Sequence, residues 1–311
     1  MGKILDLFCG CGGFSTGFIQ AGHKVMWGID NDKRVQKTYE YNHPDTEFIL
    51  SDIRDLDPND FKNVDIVIGS PPCPNFSLAN NKRDPKKGMV LVNKFRKWIE
   101  TIKPKWWIME NVPPIYKYLD DFYPIKRIIN CADYGVPQIR KRCFSGLYIF
   151  PRPMYAKFPY YTLDGKKTHR WITVKEAIGD LLNLKVEVPN HIETKSSQES
   201  MIRKLSSNFG MQKRYKNFSL EPRKYQLGKA FMKKHPPLCY EKPASCVTTK
   251  DDKHIIETSE KKYRRLTVRE CARLQSFPDE FIFFGSLSAQ YMMIGNAIPP
   301  LMAYHFGIYL K

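Results

Sequence analysis

A cysteine enclosed by prolines is the residue of this chain most plainly set out for chemistry. Cys73 stands within Ser70-Pro71-Pro72-Cys73-Pro74-Asn75-Phe76-Ser77. Prolines on both sides disfavour helix and strand, so the thiol is held in a rigid loop. Thiolate sulfur is strongly nucleophilic near neutral pH, which makes Cys73 a candidate for covalent catalysis. Free cysteine is also commonly a small buried hydrophobe, and that is the reading for Cys131, Cys143 and Cys271. Glu110-Asn111-Val112 closes an apolar run, where a carboxyl raised in pKa by burial can share a proton with a base. In Gln138-Ile139-Arg140-Lys141-Arg142, an extended backbone would put Gln138, Arg140 and Arg142 on one face. Two guanidiniums on one face make a clamp for an anion or a carboxylate.

A second constellation suits a ligand rather than a reaction. Phe8, Gly10, Gly12 and Gly13 follow an apolar run and precede a helical one. Glycines there let the backbone turn tightly against a ligand, while helix N–H groups face it. Asp30 ends the next apolar run, about twenty residues on, where a ribose-binding carboxylate belongs. Asp52 ends the third and suits the amino group of an adenine. Helix capping is the competing explanation for both carboxylates.

The elements that must position these groups alternate. Residues 3–8, 25–29, 47–50, 64–69 and 106–109 read as short buried strands. Residues 14–22 and 91–102 read as helices, as do 267–277 and 299–310 near the far end. Strands alternating with helices predict an α/β fold, a mostly parallel Rossmann-like sheet with helices on both faces. In such sheets ligands sit at the carboxyl ends of strands, where Gly10, Asp30, Asp52, Cys73 and Glu110 all fall.

The charge points to a polyanion. The 311 residues carry a formal net charge of +18, and residues 201–235 alone contribute +9. Arg203, Lys204, Lys213, Arg214 and Lys216 lie in that stretch among Phe209, Tyr215, Phe218, Tyr225 and Phe231. Basic residues interleaved with aromatics suit a surface that meets phosphates and bases. A solvated face over a small core is the plainer account of the same pattern. No apolar run approaches the ~18 residues of a membrane span, and none before Lys3 suits a leader, so a cytoplasmic protein is expected. The eight cysteines fit no zinc spacing, and no metal is expected.

Six blocks in order resemble the DNA cytosine-5 methyltransferase family: DLFCGCGGFSTGF at 6–18, PPCPNFS at 71–77, ENV at 110–112, QIRKR at 138–142, RLTVRECARLQSFPD at 265–279 and IGNAIPP at 294–300. The resemblance covers residues 3–150 and 262–311. It implies S-adenosyl-L-methionine as cofactor, S-adenosyl-L-homocysteine as product and double-stranded DNA as partner, with a monomeric enzyme and a cognate restriction endonuclease as a functional partner. It implies a covalent role for Cys73 at carbon 6 of a flipped cytosine, with Glu110 at ring nitrogen 3. Arg142 resembles the residue that holds the base carbonyl and steadies Glu110, and Arg140 its neighbour near the target's phosphate and the thiolate. Phe8, Gly10, Cys11, Gly12, Gly13, Asp30, Asn31, Asp52, Ile53, Pro72, Asn296 and Ala297 are the implied cofactor contacts. Gln138, Ser77 and the basic residues 203, 204, 213, 214 and 216 are the implied DNA contacts. Residues 1–184 with 288–311 would form the catalytic domain, and the last helix should pack beside the first strand. Residues 185–287 would form a smaller, irregular, basic target-recognition domain with the 265–279 block at its base.

The chain departs from the family in one respect. Pro74 stands where the family usually has Gln after the cysteine, which affects how the loop meets the flipped base. A related branch acts on transfer RNA and carries Cys-Phe-Thr in the variable region; here the comparable residues are Ser245-Cys246-Val247-Thr248. A silent DNA-binding homologue would lack the nucleophile, Glu or Arg, and none is missing. A nicotinamide enzyme would explain the Gly-rich turn alone.

Overall fold

The computed structural model describes residues 1–72, 75–76, 84–182, 187–192, 238–249, 255–257 and 263–310. Its centre is a seven-stranded sheet in the order β3-β2-β1-β4-β5-β8-β6. These strands are β1 (Lys3–Leu7), β2 (Lys24–Asp30), β3 (Glu47–Leu50), β4 (Ile66–Gly69), β5 (Trp106–Asn111), β6 (Ile125–Asn130) and β8 (Lys141–Leu147). Strands β3 to β5 pair in parallel, and β8 alone runs against its neighbours β5 and β6.

The central strands are apolar on both faces and sort their side chains by alternation, as strand geometry requires. Ile4, Ile66, Ile68 and Ile108 face one core cluster; Leu5, Leu7, Val67, Trp107 and Met109 face the other. Helices α1 (Gly13–Gln20) and α7 (Pro300–Gly307) fill the first, with Phe14, Phe18, Met302 and Phe306. Helix α3 (Pro85–Ile102) fills the second with Val92, Phe95, Trp98 and Ile99, a spacing that places them on one helical stripe. This helix starts six residues before the expected Leu91, because Asp84 caps it and Pro85 occupies the first turn.

Packing joins the two ends of the chain. A Cβ on Gly17 would stand 2.2 Å from the Pro300 carbonyl oxygen, and one on Gly307 would stand 2.6 Å from the Ala21 Cβ. Helices α1 and α7 therefore approach backbone to backbone, and Met302 and Phe306 of the last helix share one core cluster with Ile4 of the first strand. A third cluster gathers α4 (Val174–Ile178), α5 (Val268–Leu274) and α6 (Leu287–Asn296) against Cys11 and Val35. Thr267 caps α5 in a reciprocal box with Glu270, whose carboxylate also meets the buried Arg264. Among the described residues no helix is long and apolar enough to cross a membrane.

Candidate active site

The turn after β1 is forced into left-handed backbone at Phe8, Gly10 and Gly12, with φ of 59°, 55° and 92°. Gly12 is irreplaceable in this position: a Cβ there would meet the His43 ring at 2.2 Å. Gly13 lies against the last block, where a Cβ would stand 2.2 Å from the Ile298 carbonyl oxygen and 3.3 Å from the Ala297 Cβ. Gly10 differs, since nothing lies within 4 Å of the Cβ position, and the turn there faces open space.

Asp30 supports this turn from behind. Its carboxylate accepts from the Gly10 N–H at 2.8 Å and the Asp32 N–H at 2.9 Å. Burial pushes its pKa up, opposed by those backbone hydrogen bonds. Asp32, not Asp30, caps α2 (Lys33–Asn42), which removes the capping explanation for Asp30. Asp52 lies nearer the surface; hydrogen bonds from Arg54 hold its carboxyl below the usual range, and Asn31 approaches it at 3.4 Å. Phe8 and Ile53 belong to the apolar cluster on the α3 side, and the Ile53 carbonyl accepts from Trp98 Nε1. Cys11 turns its side chain away into the third cluster, its thiol 3.6 Å from the Met293 carbonyl, so only its backbone faces the turn. Asn296 is exposed at the end of α6 and Ala297 caps that helix.

One strand away, Glu110 ends β5 almost fully buried, and Arg142 Nε meets its Oε1 at 2.9 Å. Burial raises the Glu110 pKa, against the pull of Arg142 first and Arg140 second. The neighbouring Asn111 donates from Nδ2 to the Pro71 carbonyl at 3.0 Å and accepts the Val112 N–H through Oδ1. Pro72 is exposed beyond that anchor. Downstream, Phe76 is buried against Tyr118, its ring 5.6 Å from that partner, and it excludes any side chain at Gly88. Cys73, Pro74 and Ser77 lie outside the described residues, as do Arg203, Lys204, Lys213, Arg214 and Lys216. The loop that carries Cys73 is thus fixed at Pro71 and at Phe76.

Two expectations for the QIRKR block need correction. It is not one strand: β7 (Gln138–Ile139) and β8 are separated at Arg140. Gln138 is fully buried, its amide held by the Leu274 carbonyl, Gln275 and the Val247 N–H, which leaves it no group for DNA. Arg140 is also buried; Nη1 donates to the Val247 carbonyl and to Cys246 Sγ, and Nη2 to the carbonyls of Gly295 and Ala297. All four Nη hydrogens therefore have partners inside the protein, and Arg140 stitches the last block to the active site instead of facing a phosphate. Alternation sets Gln138 and Arg140 on the buried side and Ile139 and Lys141 on the exposed side, but it does not reveal which distant groups they meet.

The matches to known proteins agree with this geometry. The model of the C-5 cytosine-specific DNA methylase family matches residues 2–310. The chain belongs to that family. The type II methyltransferase M.DdeI of Desulfomicrobium norvegicum is 31% identical, over 97% of this chain and 86% of its own length. The type II methyltransferase M.MthTI of Methanothermobacter thermautotrophicus is 32% identical, over 96% and 94%. The structure of a Spodoptera frugiperda DNMT2 mutant shares the fold with a TM-score of 0.67, at 17% identity over 100% of this chain and 99% of that one.

Proposed function

We propose that this C-5 cytosine-specific DNA methylase uses S-adenosyl-L-methionine to methylate carbon 5 of a cytosine in a specific double-stranded sequence, as the methylase of a restriction–modification system. The observation that carries the reading is the buried Glu110–Arg142 pair beside the Pro71–Pro72 loop.

The residues present fit the cofactor. The Cβ position of Gly10 faces open space and its N–H is held by Asp30, while Asn31 and Asp52 meet at the ends of the next two strands; an apolar Phe8 and these carboxylates suit an adenosine. The bound cofactor would supply an electrophilic methyl group on a sulfonium.

Carbon 5 is a poor nucleophile within the aromatic ring, so the chain's own residues must activate it. The Cys73 thiolate adds to carbon 6, forming the C–S bond and pushing electrons toward carbon 5 and ring nitrogen 3. Glu110, whose pKa burial raises, is assigned to share a proton with that nitrogen as charge develops. Arg142 orients Glu110 through its 2.9 Å ion pair, and by resemblance to the family it is assigned to the base carbonyl. After methylation, water takes the carbon-5 proton, and the electrons of that C–H bond reform the ring double bond and expel the Cys73 thiolate. The base must leave the stack to be reached, at a cost of a few kcal/mol. Residues 185–287, with the basic stretch 201–235, are assigned to gripping phosphates and reading the target.

Bisulfite sequencing of DNA from cells expressing the protein tests the whole reading. Protected cytosines in one recurrent sequence, absent with Cys73→Ser, are the expected result; unprotected DNA would refute it.

A further inference from the structure

The structure brings one further titratable group to the Glu110–Arg142 pair. Cys246 follows β9 (Ala244–Ser245), which pairs in parallel with β7. Val247 locks this segment in register: its N–H donates to Gln138 Oε1 at 2.9 Å, and its carbonyl accepts from Arg140 at 3.1 Å. Close packing holds it from the other side, since a Cβ on Gly295 would lie 2.3 Å from the backbone of Thr248 and Thr249. Cys246 Sγ lies 3.3 Å from Arg140 Nη1, and Arg142 donates to the same sulfur. The two guanidiniums whose charge reaches Glu110 therefore meet again at a thiol.

The two arginines lower the Cys246 pKa from its ordinary value. Burial opposes ionisation of Cys246, but the charges of Arg140 and Arg142 and the hydrogen bonds from both outweigh it, and the pKa falls. Cys9, Cys11, Cys131 and Cys143 go the other way, pushed up by burial. Cys131, the thiol that feels Cys246 from the end of β6, is raised to about 12 and stays neutral. Among the described residues, Arg140 and Arg142 from the QIRKR block act on the sulfur directly, Cys131 feels its charge, and Glu110 from β5 is paired with Arg142; the Gly295 carbonyl of α6 and that of its cap Ala297 hold Arg140.

We propose that Cys246 is a positioning residue for methyl transfer: its thiolate is the shared acceptor that fixes Arg140 and Arg142 and limits the positive charge acting on Glu110. This rests on the proton-sharing role assigned to Glu110. An anion between two guanidiniums withdraws part of the field that would otherwise favour the Glu110 carboxylate. Without it, Glu110 ionises at lower pH and loses the proton that ring nitrogen 3 requires. Serine can keep a hydrogen bond at this position but carries no charge near neutral pH, so Cys246→Ser separates charge from packing.

Two measurements on the full chain decide the matter. In single-turnover methyl transfer to duplex DNA, Cys246→Ser should move the alkaline limb of the rate profile to lower pH by about half a unit or more, with the cofactor KM within about twofold of the parent. A superimposable profile would overturn the proposal. Ultraviolet thiolate absorbance reads the same group without catalysis. Cys73→Ser should show a thiolate step below the ordinary thiol pKa of about 8.5 that is lost in Cys73→Ser/Cys246→Ser. Titrations that coincide below that pH would overturn it equally. If the parent transfers no methyl group at any pH, the functional reading fails, and the absorbance titration still decides the state of Cys246.

Discussion

The Asn111 side chain donates to the Pro71 carbonyl at 3.0 Å and so ties the end of β5 to the loop that carries Cys73. The adjacent residue, Glu110, is held by Arg142 at 2.9 Å. One strand end therefore places both the proton-sharing carboxyl and the entry to the nucleophile's loop. The second anchor, Phe76, fixes the loop's exit against the start of α3 and Tyr118.

Asn111→Ala should slow single-turnover methyl transfer by about tenfold or more, because a misplaced reacting group loses rate steeply. It should also cost about 1–3 kcal/mol of stability by leaving the Pro71 carbonyl unpaired in a buried place. Rapid-quench kinetics beside urea melts separate the two effects. A rate equal to the parent's would deny Asn111 its role in placing the loop.

Cys73→Ser should abolish methyl transfer while DNA affinity persists, since the nucleophile is removed and the phosphate contacts are not. Labelled-methyl incorporation and gel-shift titration check the pair. Full activity would remove Cys73 from the mechanism.

Two glycines three residues apart should fail in different ways. Gly13→Ala forces a Cβ against the Ile298 carbonyl oxygen at 2.2 Å, so a loss of about 1–3 kcal/mol is expected in urea unfolding. Gly10→Ala meets no neighbour within 4 Å, and its left-handed φ costs only about 1–2 kcal/mol. Its methyl group enters the space assigned to the cofactor, so calorimetry should show weakened S-adenosylmethionine binding. Unchanged affinity in Gly10→Ala would move the cofactor elsewhere.

Much of this site could be read in the chain because its residues end strands. Asp30 and Glu110 terminate apolar runs that are β2 and β5, and the parallel order puts those ends on one edge. The edge strand β6 was harder to see, since Ile128 is half exposed beside the buried Ile129 and no alternation marks it. The role of Arg140 is not legible in the sequence, because its partners Val247, Gly295 and Ala297 lie more than a hundred residues away and offer backbone carbonyls, which no side-chain pattern encodes. Cys246 was noticed only as part of a tetrapeptide, and its meeting with both arginines depends on the same long-range contact.

DNA affinity should fall steeply with added salt, because neutralising several phosphates releases counterions. Fluorescence anisotropy on one duplex across a salt series measures the slope. Replacing Lys213, Arg214 and Lys216 with Gln should flatten it; a slope that is already flat in the parent would leave residues 201–235 without the role assigned to them.

The last prediction concerns stability and pH. Asp6 ends no loop and touches no surface: it is fully buried in β1, accepts the Ser15 hydroxyl at 2.7 Å, and its Oδ1 has no hydrogen-bond partner among the described residues. Burial pushes its pKa up to about 7 from 3.8, the Ser15 hydrogen bond pulls it down, and the Asp30 charge adds to the rise. The folded protein thus keeps a proton that the unfolded chain releases near pH 4. The contribution of Asp6 to stability is complete below that pH and is lost as pH rises through about 7, at up to about 1.4 kcal/mol per pH unit. Asp6→Asn cannot ionise, so it should lose less stability than the parent over that window, and the two should run parallel above it. Paired urea melts across the window give the slopes directly, and equal slopes would show that Asp6 is not the group that titrates.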